Sequence, residues 1–246
     1  MLGFSEEIRA IVVGGTGGVG QAFVQALSES ALVSNVIATT RRSQTAAGTE
    51  KLAWVQADTT DEASLIALAE HAKTVDFRPN FVINCSGVLH TDSFGPEKTW
   101  RHLDSATMQH VFAVNAFGVA LLGKHLLPLF PRRGRSVFAS ISARVGSIDD
   151  NRSGGWYSYR ASKAAHNMLL KTLSLEACRK YPELVCASIH PGTVDTRLSA
   201  PYTRRYDPNK LFSPEHSVQC MIQVLGELGP SDSGGFFAWD GQPIAF

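Results

Sequence analysis

The sequence predicts an α/β fold: a doubly wound parallel sheet of about seven strands, sandwiched between helices as a three-layer αβα arrangement. Two observations carry that expectation. Short apolar, β-branched runs alternate with longer helical patterns through the first half of the chain, which favours parallel strands joined by right-handed crossovers. The first of these runs passes through a glycine-rich turn into a helix, the context in which a nucleotide phosphate can be held. At 246 residues, 44% of them hydrophobic, the chain suits a single domain spanning 1–246, since α/β domains often reach this size.

Residues 8–13 read as a buried strand, mostly apolar and bounded by glycines. Gly14-Gly15-Thr16-Gly17-Gly18-Val19-Gly20 follows, then a helical pattern over 21–30. Glycines permit a tight turn and a close approach to a pyrophosphate, and the helix start offers free N–H groups. A tight turn without a ligand would read the same way. No G-x-x-x-x-G-K-[ST] is present, which argues against a P-loop nucleotidase. Residues 36–40 form the second strand and lead to Arg41-Arg42. An acid near this point suits a ribose 2′-hydroxyl, whereas arginine accommodates a 2′-phosphate. No acid occurs between Val36 and Thr49, so NADP(H) is the preferred cofactor, with NAD(H) left open. A solvated basic turn is the other reading of the two arginines.

A third strand over 52–57 ends at Asp58, and Thr60 or Asp61 would N-cap a helix over 62–73. Asp58 also suits a plain turn position. Residues 81–84 are a fourth strand running into Cys85-Ser86-Gly87, and 90–101 read as loop. A long helix over 105–130 is apolar on more than one side, so it is buried or dimeric. Asn115 lies within it, and a buried amide there would need partners; a satisfied surface Asn is the alternative. The fifth strand, 135–142, puts Ser140 and Ser142 on one face. A polar loop over 143–155 then delivers a second long helix over 157–180.

Within that helix Tyr159 and Lys163 are four residues apart and share a face. An ammonium beside a phenol lowers the phenol pKa, which makes a proton donor that works near neutral pH. An amphipathic helix with an exposed lysine has the same spacing. Residues 185–190 form the sixth strand, broken by Pro191-Gly192. Residues 193–214 carry no strong pattern and suit a substrate-covering segment; a last helix covers 214–228 and a last strand 234–239.

The formal net charge of +1 gives no sign of a nucleic-acid or anionic-membrane partner. No apolar run is expected to reach membrane-spanning length. The N-terminus has early acids and no signal-peptide pattern, so a cytoplasmic protein is expected. Cys85, Cys178, Cys186 and Cys220 form no C-x-x-C pair and have no histidine cluster beside them, so neither a metal site nor a disulfide framework is expected.

Taken together, these features resemble the short-chain dehydrogenase/reductase family over nearly the whole chain, in family order. The glycine motif is similar to Val13-Gly14-Gly15-Thr16-Gly17-Gly18-Val19-Gly20, with Val13 where the family has Thr. The N-N-A-G element resembles Asn84-Cys85-Ser86-Gly87, the helical Asn is Asn115, and Y-x-x-S-K is Tyr159 to Lys163. The P-G-x-V-x-T segment resembles Pro191-Gly192-Thr193-Val194-Asp195-Thr196. Phrasing around Gly146 to Lys163 looks most like the branch of C-factor-type proteins and related carbonyl reductases.

The resemblance implies a Rossmann-type NADP(H)-dependent oxidoreductase that interconverts a carbonyl and an alcohol. It implies that Gly14, Thr16, Gly17, Gly18, Val19, Gly20, Asn84, Ser86, Gly87, Pro191, Gly192, Thr193, Val194 and Thr196 contact the cofactor. Asp58 would bind adenine, and Asn115 would hold a water linking Lys163 to solvent. Tyr159 would donate the proton, Lys163 would hold the nicotinamide ribose, and Ser142 would orient the carbonyl. The family writes Ser-Ser and uses the second, whereas this chain has Ser142-Ala143; Ser140 is the fallback. A nucleotide-binding regulatory or signalling protein with little turnover is the second reading. A small-molecule substrate is expected, its pocket walled by 89–100 and by Leu198, Tyr202, Tyr206, Leu211 and Phe212, with Arg204 and Arg205 either facing water, the preferred reading, or meeting an anion. A homodimer or homotetramer through the two long helices is implied as well.

Overall fold

The computed structural model describes residues 7–42, 48–204 and 206–246. Arg205 lies outside the described residues. Seven strands form one sheet in the order β3-β2-β1-β4-β5-β6-β7: β1 (Ile8–Val13), β2 (Val33–Thr40), β3 (Leu52–Gln56), β4 (Phe81–Asn84), β5 (Ser136–Ile141), β6 (Leu184–His190) and β7 (Gly235–Ala238). Every pairing is parallel. The chain reverses its winding direction between β1 and β4, the position where such sheets open a crevice at the carboxyl ends of their strands. Val13 pairs with Asn84 there, so the glycine turn and the Asn84–Gly87 loop leave the sheet side by side.

The helices are α1 (Gly18–Glu29), α2 (Glu62–Thr74), α3 (Ser105–Phe112), α4 (Gly118–Leu126), α5 (Tyr157–Ala177), the short α6 (Ala200–Thr203) and α7 (Pro214–Glu227). Side chains alternate across a strand, and the parallel sheet is covered on both faces. Val12, Ile83 and Ile189 pack with Phe23 and Leu27 of α1 and Met221 and Leu225 of α7. Ile11, Val82 and Phe138 pack with Leu65 and Leu68 of α2, Leu122 of α4 and Leu170 of α5. Strands buried on both faces read as continuous apolar runs, which is why they were legible.

Two element starts move by three residues each, and one choice between two caps is settled. Helix α1 starts at Gly18 rather than Gln21, because the glycine turn itself supplies the first helical turn. Strand β2 starts at Val33. Asp61, not Thr60, caps α2, its carboxylate accepting the Ala63 N–H. The expected long helix is continuous over Ser105–Leu129, but a π-turn, Ala113–Phe117, interrupts it. The expectation that no apolar run reaches spanning length is corrected here. This 25-residue stretch, whose most apolar 18 residues have mean hydropathy 1.4, is long and apolar enough by length and composition. Half of its most apolar window is buried inside the protein, and it packs on α2 and α5, as a core helix does.

Candidate active site

The Y-x-x-x-K pair lies on the buried face of α5, with Tyr159 9% and Lys163 2% exposed. Lys163 Nζ is 5.9 Å from the Tyr159 ring centre and donates to the carbonyl of Ile141, at the end of β5, at 2.8 Å. That bond ties α5 to the carboxyl end of the sheet, where Ser142 stands. Burial pushes Tyr159 up to about 12 and Lys163 down to about 8. The expected lowering of the phenol is therefore corrected. Charge proximity favours phenolate, but loss of solvent disfavours any anion, and loss of solvent is the larger effect at this site.

Asn115 sits in the π-turn, a helix irregularity that recurs at functional sites. It is buried and fully used, which removes the surface reading. Its Oδ1 accepts the Val88 N–H at 2.8 Å, and its Nδ2 donates to the Val88 carbonyl at 2.8 Å and to Ser162 Oγ at 3.1 Å. Its main-chain carbonyl accepts from His166 Nδ1 at 2.9 Å. Burial, then the Lys163 charge, hold His166 down at about 3, so the imidazole is neutral and Nδ1 carries its proton. A Cβ placed on Gly87 would lie 3.6 Å from Asn115 Oδ1 and 3.7 Å from Lys163 Nζ. Gly87, Asn115 and Lys163 thus meet in one spot, although 76 residues separate the first from the last (163 − 87).

The two serines have separate partners. Ser142 Oγ donates to Asn167 Oδ1 of α5 at 2.7 Å. Ser140 Oγ accepts from Asn84 Nδ2 at 2.9 Å; Asn84 Oδ1 in turn accepts the Ser86 N–H at 3.0 Å and the Ser86 hydroxyl. Ser140 therefore braces the loop that carries Ser86 and Gly87.

The glycine turn fits a dinucleotide. Gly14 has φ +76°, open to glycine at little cost, and its N–H donates to Thr39 Oγ1 at 3.0 Å. A Cβ on Gly20 would meet the Gly14 carbonyl oxygen at 2.1 Å, and one on Gly18 would meet Thr196 Cγ2 at 2.7 Å. Gly17 caps α1 without a side-chain acceptor, which leaves helix-start N–H groups for an anion. Gly18 and Thr196 bring Thr16 to Gly20 against the Pro191–Thr196 segment, where the Pro191 carbonyl is anchored by Ser217 Oγ at 2.7 Å. Val194 pairs with Phe212. Arg41 and Arg42 are exposed just past β2. Asp58 Oδ1 accepts from Thr60 N–H at 2.9 Å and its hydroxyl at 2.7 Å, the turn role the sequence also allowed.

Several contributors carry no sequence signal. Trp156 has φ +54° and follows Gly154 and Gly155 at +62° and +65°, three left-handed residues in a row before α5. Its N–H donates to the Glu97 carbonyl at 2.6 Å. Its ring meets Tyr159 edge-on at 6.2 Å and Tyr202 at 5.1 Å, and Tyr202 meets His90 at 5.8 Å. His90 Nε2 lies 3.2 Å from the Leu198 carbonyl. The 89–100 loop and the covering segment therefore close over Tyr159 as an aromatic wall. Asn167 and His166, at Lys163 + 4 and + 3 on the buried face of α5, are missed residues that helical spacing could have found.

A dinucleotide-type α/β sheet with this constellation at its switch point defines an oxidoreductase of the Rossmann class. The family model described as short chain dehydrogenase matches residues 9–207, and the chain belongs to the short-chain dehydrogenase/reductase family. It is 30% identical over 258 residues to an uncharacterised oxidoreductase of Schizosaccharomyces pombe, covering 96% of each chain. It is 33% identical over 143 residues to C-signal of Myxococcus xanthus, covering 58% of this chain and 80% of that one. The fold superposes on NADPH-bound carbonyl reductase from chicken fatty liver with TM-score 0.85 and 26% identity, over 99% and 96% of the two chains.

Proposed function

We propose that this protein is an NADP(H)-dependent carbonyl reductase or alcohol dehydrogenase acting on a small molecule. The observation that carries this reading is the convergence of Tyr159, Lys163, Asn115 and Gly87 beside the end of β5. A pure nucleotide binder needs no buried tyrosine–lysine pair. Bound nicotinamide would supply the hydride. Residues 14–20, Asn84 to Gly87 and Pro191 to Thr196 would hold the cofactor, with Arg41 and Arg42 near a 2′-phosphate. The NADPH-bound avian relative supports that choice.

In the reductive direction the phenol of Tyr159 gives its proton to the oxygen of the carbonyl as the carbon is reduced. Lys163, positively charged below about pH 8, stabilises the phenolate left behind. Ser142 orients the carbonyl oxygen by donating to it. Asn115, fixed from three sides, holds the turn beside Lys163. We further propose a homodimer or homotetramer through the two long helices, Ser105–Leu129 and α5, which leave Phe117, Met168 and Leu175 exposed, and a cytoplasmic location.

The test is NADPH oxidation with a panel of aldehydes, ketones and quinones, in parent protein and Tyr159→Phe. Loss of a general acid typically costs on the order of 10²–10⁴ in rate, with cofactor binding kept. Full activity in Tyr159→Phe defeats the assignment. The second reading, a regulatory protein with little turnover, gains from one observation: the Ser142 proton is already given to Asn167. Tight NADPH binding with no oxidation by any carbonyl would favour it.

A further inference from the structure

We propose that the cavity beyond the ends of β5 and β6 takes a carboxylate, so that the substrate is an acidic carbonyl compound. This rests on the reductase reading and narrows its substrate class. The cavity holds about 360 Å³ and is lined by Arg144, His190, Thr193, Lys210, Phe212 and Trp239 among others. That volume lies in the range of small-ligand sites.

The cavity adjoins the catalytic set through the backbone. Arg144 stands two residues after Ser142 and opens the turn Arg144–Gly146. Gly146 rests on α5 so closely that a Cβ there would lie 2.6 Å from Lys163 Cβ. The Ser142 N–H donates to the Ile189 carbonyl at 2.8 Å, so His190 is the next residue along the neighbouring strand. Thr193 belongs to the segment beside Gly18.

The chemistry of the lining is cationic and short of partners. Among the described residues, neither Arg144 nor Lys210 joins an ion pair. His190 Nδ1 is buried without a hydrogen-bond partner. Burial and then the Arg144 charge hold the imidazole down at about 4, although the carboxylates of Asp240 and Asp150 act the other way. It is thus a neutral group at pH 7, able to hydrogen-bond without adding charge. Phe212 and Trp239 meet edge-to-face at 4.6 Å and give the cavity an apolar floor. A guanidinium and an ammonium over an apolar floor suit a planar carboxylate on an organic scaffold, because arginine binds carboxylates bidentately.

The experiment compares 4-carboxybenzaldehyde with its methyl ester as NADPH-dependent substrates, two molecules of similar shape and different charge. The parent is expected to favour the acid in kcat/KM. In Arg144→Gln/Lys210→Gln the acid-to-ester ratio should fall about tenfold or more, while Arg144→Lys retains part of it. A second readout needs no turnover. Terephthalate should quench the Trp239 fluorescence saturably, a signal absent in Trp239→Phe, and the double variant should bind it about tenfold more weakly. An unchanged ratio, or terephthalate binding equal in parent and double variant, overturns the proposal. Arginine-dependent terephthalate binding without reduction of any carbonyl would instead retain this site and sink the reductase reading.

Discussion

Ser142 donates its hydroxyl proton to Oδ1 of Asn167, 2.7 Å away in the interior, while the Asn167 amide Nδ2 has no hydrogen-bond partner. A hydroxyl has one proton to give. To polarise a substrate carbonyl, Ser142 must withdraw that proton from Asn167. A half-turn of the amide would bring Nδ2 to Ser142 Oγ, satisfy the orphaned donor and release the proton. Asn167→Asp offers only acceptors when ionised, so it should keep the proton and lower kcat about tenfold or more. Ser142→Ala should lower kcat at least as much. NADPH affinity, titrated by fluorescence, should change less than about twofold in both. Normal turnover in Ser142→Ala would leave the serine with a bracing role alone.

The close seat of Gly146 on α5 gives a sharper structural test. A Cβ at Gly146 would meet Lys163 Cβ at 2.6 Å, the Lys163 carbonyl carbon at 2.9 Å and the Ala164 nitrogen at 3.2 Å. The last two are helix backbone and cannot step aside. Gly146→Ala should destabilise the fold by about 1–3 kcal/mol and lower Tm by several degrees. By displacing Lys163 it should also lower kcat/KM about tenfold. Gly17→Ala is the control, since its new Cβ would make an ordinary 3.5 Å contact. Equal melting curves for the two variants would remove the packing argument.

What the sequence made legible, and what it hid, follows from the range of each interaction. Strands such as β1 and β4 are apolar at nearly every position because both faces are covered, so they announced themselves. Tyr159 and Lys163 share a helix, and local spacing sufficed. The π-turn at Asn115 was invisible, because its partners Val88, Ser162 and His166 come from distant stretches. The same holds for Glu97, whose partner Ser158 lies 61 residues on. The start of α1 was misplaced because glycine is a poor helix former, yet here Gly18 and Gly20 are required by close approach. The sign of the Tyr159 shift was misread for a related reason. Spacing reveals a neighbouring charge but not the loss of solvent around it.

That loss of solvent sets the alkaline limit of the reaction. Tyr159, raised to about 12, remains a phenol across the working range and keeps its proton to give. Lys163, lowered to about 8, is charged below that pH and neutral above it. Carbonyl reduction should therefore be maximal below about pH 8 and fall as the ammonium is lost, not as the tyrosine ionises. Arginine remains protonated far beyond this range. In Lys163→Arg the limb should move up by more than about one pH unit, even if the maximal rate is lower. The check is kcat/KM from pH 6 to 10 at saturating cofactor. A limb at the same pH in both proteins would assign it to another group.

Glu97 links the pocket wall to the catalytic helix. It is 4% exposed, and its carboxylate accepts the Ser158 N–H at 3.1 Å and also the Ser158 hydroxyl. Its main-chain carbonyl accepts the Trp156 N–H at 2.6 Å. A negative charge at the start of the 21-residue α5 meets the positive end of the helix dipole. Three bonds thus pin the left-handed Trp156 and the first turn of α5 to the loop that closes over Tyr159. Glu97→Gln keeps the shape but removes the charge. It should cost about 1–2 kcal/mol and lower Tm by a few degrees, since a domain of this size shifts by about 2–4 °C per kcal/mol. A purely structural cap would stop there. Because the same side chain pins Ser158, the residue next to Tyr159, to the loop that walls the pocket, KM for the carbonyl should also rise about threefold or more, with NADPH affinity retained. An unaltered KM alongside the lowered Tm would confine Glu97 to holding the helix and leave the pocket wall to be positioned by Tyr202 and His90.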